Sequence, residues 1–389
     1  MKMVIVRGPF LNPWEMQNYT SLLRDNEILG LTTLSHIFDL KDIKVPIKKL
    51  FSPDVIPNLV SRNFATFFNK FTNKVFGCSY YMFGLSKYVK DADIVNAVEL
   101  YHTFTYQIVK AKKKYGFKVI VTVWENIPFS FENHFVRQKI KKEVKKEVDL
   151  FIAVTENVKN CLLLEGIPEE KIEVIYPGVD VEMFKPRQKS LELLKYFGID
   201  ENDFVILFVG RFVWEKGVYD LIYSAKKLLS DKDIKISVKF LLVGSGKERR
   251  KMLKLIKRLN LERNVIVGEH LAYDKIPYLF NLGDIFVLPS IPTRYWQEQF
   301  GYVLIEAMAS GLPVVSTLTG AIPEVVSDSG ILVPPGDYSL LYKSIKSLIE
   351  NSNLRKELGK RARRRVEDNF SAKQVGEKLQ KICLNLLDK

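Results

Sequence analysis

The sequence predicts an α/β chain built from two doubly wound, Rossmann-like domains. Three observations predict it. The chain has 389 residues, more than the roughly 150 typical of one domain. Short β-branched runs alternate with amphipathic stretches through 3–178, which argues for a parallel sheet covered on both faces. The rhythm breaks at 176–189 and restarts at 203.

Taken in order, "MVIV" (3–6), "DIVNAV" (93–98), "KVIVTV" (118–123), "LFIAVT" (150–155) and "IEVIYPG" (172–178) are short, apolar and bounded by polar residues or turns, as buried strands are. Between them the spacing predicts a helix over 131–148. Phe131, Phe135, Val136, Ile140, Val144 and Val148 fall on one side and lysines on the other. "YPGVDVEMFKPRQK" (176–189) carries Pro177, Gly178 and Pro186 and then turns charged, which marks a domain boundary. Beyond it, "DFVILFVG" (203–210), "SVKFLLVG" (237–244), "NVIVG" (264–268), "DIFVLPS" (284–290) and "LPVVST" (312–317) read as strands, each followed by a helix-compatible segment. From about Tyr338 the chain reads as helix, with Ser371 as the N-cap of "SAKQVGEKLQKICLNLL". Domains are therefore expected at 1–180 and 181–370, followed by a last helix over 371–389. Two such domains facing each other leave a cleft at the carboxyl ends of their strands, where open α/β sheets bind ligands.

Lysine and arginine number 59 against 45 acids, a net charge of +14, so anionic partners are expected; nucleotides, phospholipids and nucleic acid all qualify. Cys78, Cys161 and Cys383 lie far apart with no C-x-x-C pair, which excludes a disulfide framework or zinc site and fits a reducing compartment. His36, His102, His134 and His270 show no ligand spacing, and no metal is expected. The apolar run in "MKMVIVRGPF" is too short for a signal peptide, and no window approaches the roughly 20 apolar residues that span a bilayer. A cytoplasmic protein is expected.

Two stretches carry chemistry. In "FVGRFVWEKGVYDLI" (208–222) a strand ends at Val209, Gly210 permits a tight exit, Arg211 sits in the loop and Lys216 stands near the next helix. Exposed amides, a helix dipole and two cations make an anion site there; ordinary surface cations are the competing explanation. In "EQFGYVLIE" (298–306), Glu298 precedes a helix that starts near Gly301, and Glu306 lies in its second turn. Carboxylates accept hydroxyl groups, and amides around Phe300 and Gly301 donate to oxyanions. A sugar nucleotide presents both; a capping acid and a solvated acid are the plainer alternative.

Arg211 and Lys216, then Gly268, then "EQFGYVLIEAMASGLPVVST", then "GAIPEVV" (320–326), occur in one order that resembles the family 4 glycosyltransferases. The E-x7-E pattern of that family is Glu298 to Glu306. The resemblance covers most of 200–370 and is looser before it, although "YPGVDVEMF" also fits. It implies the GT-B fold, with the last helix crossing back onto the first domain. It implies a retaining, hexosyltransferase-type enzyme that takes a sugar from a nucleotide-diphosphate donor without a metal. Arg211 and Lys216 would hold the diphosphate as leaving group, Glu298 the transferred sugar beside the Phe300 and Gly301 amides, and Glu306 the ribose. Gly268, Glu269 and His270 would border the base.

The first half departs from the family twice. Its usually Gly-rich first loop is "RGPFLNPWE" (7–15), with Gly8 alone to approach the donor. A histidine usual after a middle strand is replaced in "VTVWENIPF" (121–129), where Trp124 or Glu125 stands instead. Glu125 either serves the acceptor and the reacting centre or, with Asn126, only holds its loop; Glu99 is a further acceptor-side carboxylate. Members of the family often use lipid-linked acceptors, so the acceptor is expected to be lipid-linked or a glycan. Segment 63–90 interleaves aromatics with lysines, as core helices, as a surface that docks on anionic membrane at its inner face, or as a nucleic-acid surface whose rings stack bases. "VGSGKERR" (243–250) lacks the spacing of a Walker loop, and no G-x-G-x-x-G follows the first strand. An epimerase or phosphorylase on the same fold, and a basic lipid- or nucleic-acid-binding protein, are the rival readings. The ordered motif series speaks against the last, and no nucleic-acid partner is expected.

Overall fold

The computed structural model describes residues 1–55 and 80–388. The chain divides into two compact units, Met1–Gly178 with Ala372–Lys389, and Val179–Ser371.

In the first unit, apolar and β-branched runs form Lys2–Gly8 (β1), Glu27–Thr33 (β2), Ile47–Leu50 (β3), Ile94–Val98 (β4), Lys118–Val123 (β5), Leu150–Ala153 (β6) and Ile172–Val174 (β7). Among the described residues they make one parallel sheet in the order β3-β2-β1-β4-β5-β6-β7. The order reverses between β1 and β4, the kind of switch point at which such sheets bind ligands. Alternation along β1 sends Val4 and Val6 into one core with Phe104, Ile108 and Val144. Met3 and Ile5 go to the other face, which Val375, Leu379, Cys383 and Leu386 of the last helix, Ala372–Leu387, cover. The last helix thus belongs to the first unit. Beneath β1 the guanidinium of Arg7, fully buried, donates to Glu15 Oε1 at 2.7 Å, to Asn96 Oδ1 at 3.1 Å and to the Tyr19 hydroxyl at 3.0 Å.

Two expectations need correction here. The helix foreseen over 131–148 runs from Phe135 to Glu147. Phe129 and Phe131 have left-handed φ values of 58° and 61°, which interrupt any helix, and Phe131 and Phe135 are exposed rather than buried in the core. Nor are all its lysines outward. Lys141 is buried and pairs with Glu132 and Glu165, each at 2.8 Å. Of the aromatic and lysine-rich stretch 63–90, residues 63–79 lie outside the described residues, as does Cys78. Met82, Leu85 and Val89 from its end fill the core. Cys161 and Cys383 are buried free thiols.

In the second unit the strands are Phe204–Val209 (β8), Val238–Val243 (β9), Val265–Gly268 (β10), Ile285–Leu288 (β11), Val314–Thr317 (β12) and Gly330–Val333 (β13). They form a second parallel sheet in the order β10-β9-β8-β11-β12-β13. Its switch point lies between β8 and β11, so the loops that leave these two strands emerge side by side. Among the described residues, no helix is long and apolar enough to cross a membrane.

Candidate functional site

The loops that leave β8 and β11 carry the two sequence motifs. After β8 the chain turns at Gly210, passes the exposed Arg211 and forms a short turn of 3₁₀ helix, Trp214–Lys216. Gly217 ends the turn with φ +66°, and a Cβ there would meet the Pro289 carbonyl oxygen at 1.8 Å. Only glycine lets the turn seat this closely on the loop after β11. The Ile291 amide then donates to the Glu215 carbonyl at 2.8 Å, which ties the two loops together.

This tie brings Lys216 onto Glu298. The Lys216 Nζ lies 2.6 Å from Glu298 Oε2, and the Ser290 hydroxyl donates to the same oxygen at 2.9 Å. The side chains are 12% and 8% exposed, so the pair is sheltered rather than a surface bridge. Trp296 meets the cation of the pair: its ring centroid lies 5.1 Å from Lys216 Nζ. The Glu298 backbone is held separately. Its carbonyl accepts from the Ala321 amide at 2.9 Å, and a Cβ at Gly320, φ +54°, would sit 2.1 Å from that oxygen. "GAIPEVV" is therefore the support of the Glu298 backbone.

Gly301, with φ +86°, opens the helix Tyr302–Ala309. Phe300 packs edge-on against Tyr302 and Phe370 and is buried, which anchors the helix entry. Glu306 is buried in that helix. Its Oε1 accepts from the Tyr273 hydroxyl at 3.0 Å. Burial raises the carboxyl to about 7, partly countered by the tyrosine's hydrogen bond. Beyond β10, Glu269 and His270 are exposed. The carbonyls before them are fixed: Arg249 donates to Gly268 O at 3.1 Å and to Val267 O at 3.4 Å.

Gly8 and Glu125 belong to the first unit. Gly8 has φ +54°, and a Cβ there would press on the Phe104 ring at 2.5 Å, so packing alone requires glycine. Glu125 Oε1 accepts from the Ile127 amide at 3.0 Å, and its own amide donates to Glu99 Oε1 at 3.2 Å. Glu99, at φ +61°, also accepts from the Trp124 amide at 2.9 Å. Burial first and the neighbouring Glu125 second raise the Glu99 carboxyl to about 8, and burial raises Glu125 as well. A small cavity between Glu99 and Glu125 is lined also by Tyr101, Lys141 and Cys161.

The structure thus brings Lys216 and Glu298 together with three side chains that sequence reasoning missed or left unused: Ser290, Trp296 and, at Glu306, Tyr273. None stands in a recognisable spacing, and only Trp296, two residues before Glu298, was near enough to draw attention.

The family model described as "Glycosyl transferases group 1" matches residues 191–365, and that described as "Glycosyltransferase Family 4" matches residues 53–183. The capsular polysaccharide biosynthesis glycosyltransferase CapM of Staphylococcus aureus is 34% identical over 237 residues, 59% of this chain and 60% of the relative. The N-acetyl-alpha-D-glucosaminyl L-malate synthase of Bacillus anthracis is 30% identical over 245 residues, 62% of this chain and 61% of the relative. The matched stretch thus spans 60% and 61% of the length of these two relatives. Among solved structures, Anabaena HepE in complex with UDP superposes with a TM-score of 0.77 at 19% identity, covering 99% of this chain and 100% of that one. The likeness shows the fold, the GT-B architecture with its two parallel sheets.

Proposed function

The chain belongs to the family 4 glycosyltransferases, and we propose that it moves a hexose from a nucleotide-diphosphate sugar to an acceptor with retention at the anomeric carbon. The observation that carries this reading is the meeting of Lys216 with Glu298 at the carboxyl edge of the second sheet. A cation for a diphosphate and a carboxylate for sugar hydroxyls stand within one hydrogen bond of each other.

The division of labour follows from the chemistry. Cleavage of the bond between the anomeric carbon and the diphosphate leaves negative charge on the phosphate oxygens. Arg211 and Lys216 receive that charge, Arg211 with a fork that grips two oxygens and Lys216 as a point charge. Glu298 accepts from sugar hydroxyls, and Glu306 from the ribose. The backbone from Gly268 to His270 borders the base. The acceptor hydroxyl forms a new C–O bond at the anomeric carbon as the C–O bond to phosphate breaks, its proton passes to the departing phosphate oxygen, and the nucleoside diphosphate leaves. No metal is required in this scheme. The acceptor, lipid-linked or a glycan, is assigned to the first unit, and a peripheral contact with anionic membrane at its cytoplasmic face fits the net charge of +14.

HepE was crystallised with UDP, which makes uridine nucleotides the first donors to test. In a thermal-shift panel of UDP-, GDP- and ADP-sugars, one is expected to raise the melting temperature; at 100 times its dissociation constant a ligand stabilises by about 2.7 kcal/mol. A panel with no shift sinks the assignment. On the acceptor side, Glu125→Gln is expected to keep the fold, since the amide oxygen still accepts from Ile127, and to lower turnover. An unchanged rate would leave Glu125 as a brace of its loop.

A further inference from the structure

We propose that Trp296 is a specificity-determining residue of the donor site, its indole forming the wall on which the transferred sugar rests. The inference builds on the reading that Lys216 and Glu298 hold the donor.

A pyranose has two kinds of surface. Its hydroxyls need acceptors and donors, and its axial C–H groups make an apolar face that gains by leaving water. Glu298 answers the first need. The second calls for an accessible apolar surface beside the same carboxylate. Phe300 cannot supply it, because its ring is 1% exposed and wedged against Tyr302 and Phe370. Trp296 can. It is half-buried, in contact with Lys216 and two residues from Glu298.

Its position is also fixed before any ligand arrives. The Thr293 amide donates to the Trp296 carbonyl at 2.7 Å, and the Thr293 hydroxyl donates to it at 3.3 Å. The Tyr295 amide donates to the Thr293 hydroxyl at 3.2 Å, which closes a tight turn. Pro289 and Pro292 stiffen the approach, and the Ile291 amide pins the loop to the turn that carries Lys216. Tyr295 in the same turn is 78% exposed, whereas Trp296 folds back against Lys216. A backbone held this way cuts the cost of ordering the loop that carries the ring when the sugar binds.

The test separates the sugar from the nucleotide. Calorimetry on the full chain gives dissociation constants for UDP, UDP-glucose and UDP-N-acetylglucosamine. Trp296→Ala is expected to weaken the nucleotide sugar that wild type binds by about tenfold, the order expected for a buried aromatic contact, and to leave UDP within about twofold. Trp296→Phe is expected to recover most of the loss. Should Trp296→Ala fold poorly, Trp296→Leu keeps the bulk without the ring and enters the same comparison. Equal weakening of UDP and the nucleotide sugar overturns the proposal, because the ring would then act only through Lys216. So does no change in either. If wild type binds none of the three probes while GDP-mannose binds, GDP and GDP-mannose replace them; if nothing binds, the donor-site reading fails first and takes the proposal with it.

Discussion

Arg211→Ala is expected to lower kcat by roughly 10²–10³ while the melting temperature stays put, and Lys216→Ala to lower kcat at least as far. The reason is where charge appears. In the ground state the diphosphate is already an anion, which both cations hold on the proposed assignment. As the anomeric bond breaks, further charge moves onto the leaving oxygen, so the cations interact more strongly with the transition state than with bound donor. Only that difference accelerates the step. Losing one stabiliser of this kind typically costs about 3 kcal/mol. The two variants differ in stability. Arg211 is exposed, so its removal leaves nothing stranded. Lys216→Ala removes the cation from the sheltered Glu298 carboxylate, and breaking one side of such a pair costs about 3–5 kcal/mol if nothing relaxes. The decisive variant is therefore Arg211→Ala, read as release of nucleoside diphosphate alongside a melting curve. If the cations carry the task, as proposed, EDTA is expected to change neither rate nor melting temperature. Full activity in Arg211→Ala, or activity abolished by EDTA, overturns the assignment.

The parallel strands at the centre of each sheet were legible because burial on both faces makes them continuous apolar runs. Three strands were not. In β2, "EILGLTT", Gly30 interrupts the run, and only the tertiary contact with β1 explains it. β3, "IKKL", is an edge strand whose two lysines face water, a pattern that also suits a loop. β13, "GILV", is an edge strand too, and is short. The misread helix start has a different cause. Phe131 and Phe135 stand four apart, as helix neighbours do, but periodicity does not register a left-handed residue at Phe131. At the site, positions were readable and partnerships were not. Glu298 was placed in the loop before its helix, and that is where it lies. Its bond to Lys216 spans 82 residues and depends on β8 pairing with β11, which no local pattern encodes. The same holds for Lys141, read as a solvated lysine yet buried between two acids from distant turns.

Affinity for the intact nucleotide sugar is expected to fall as pH drops below about 7, and Glu306→Gln to abolish that dependence. The buried Glu306 carboxyl is raised from 4.5 to about 7, so in the free protein it holds its proton through the mildly acidic range. Ribose hydroxyls that donate to Glu306 bind its ionised form best. Donor binding and the proton therefore compete, and each pH unit below the carboxyl's pKa weakens binding by up to about tenfold. At pH 5 the donor should bind on the order of a hundredfold more weakly than at pH 8. The intact donor is the right probe, because its diphosphate has no terminal oxygen that titrates in this window, whereas a free nucleoside diphosphate has one. Stability runs the other way. A carboxyl raised above its unfolded value favours the fold at low pH, and that advantage is lost as pH rises from 4.5 to about 7, by roughly 3 kcal/mol in all. The ligand-free protein should thus grow less stable across the interval in which it gains affinity. A structural carboxyl without a ligand would give the stability slope alone. Calorimetry in two buffers of different ionisation enthalpy completes the check: near pH 6 donor binding should release up to one proton in wild type and none from this site in Glu306→Gln. Affinity flat between pH 5 and 8 in wild type, or a slope that survives in Glu306→Gln, would remove Glu306 from the ribose.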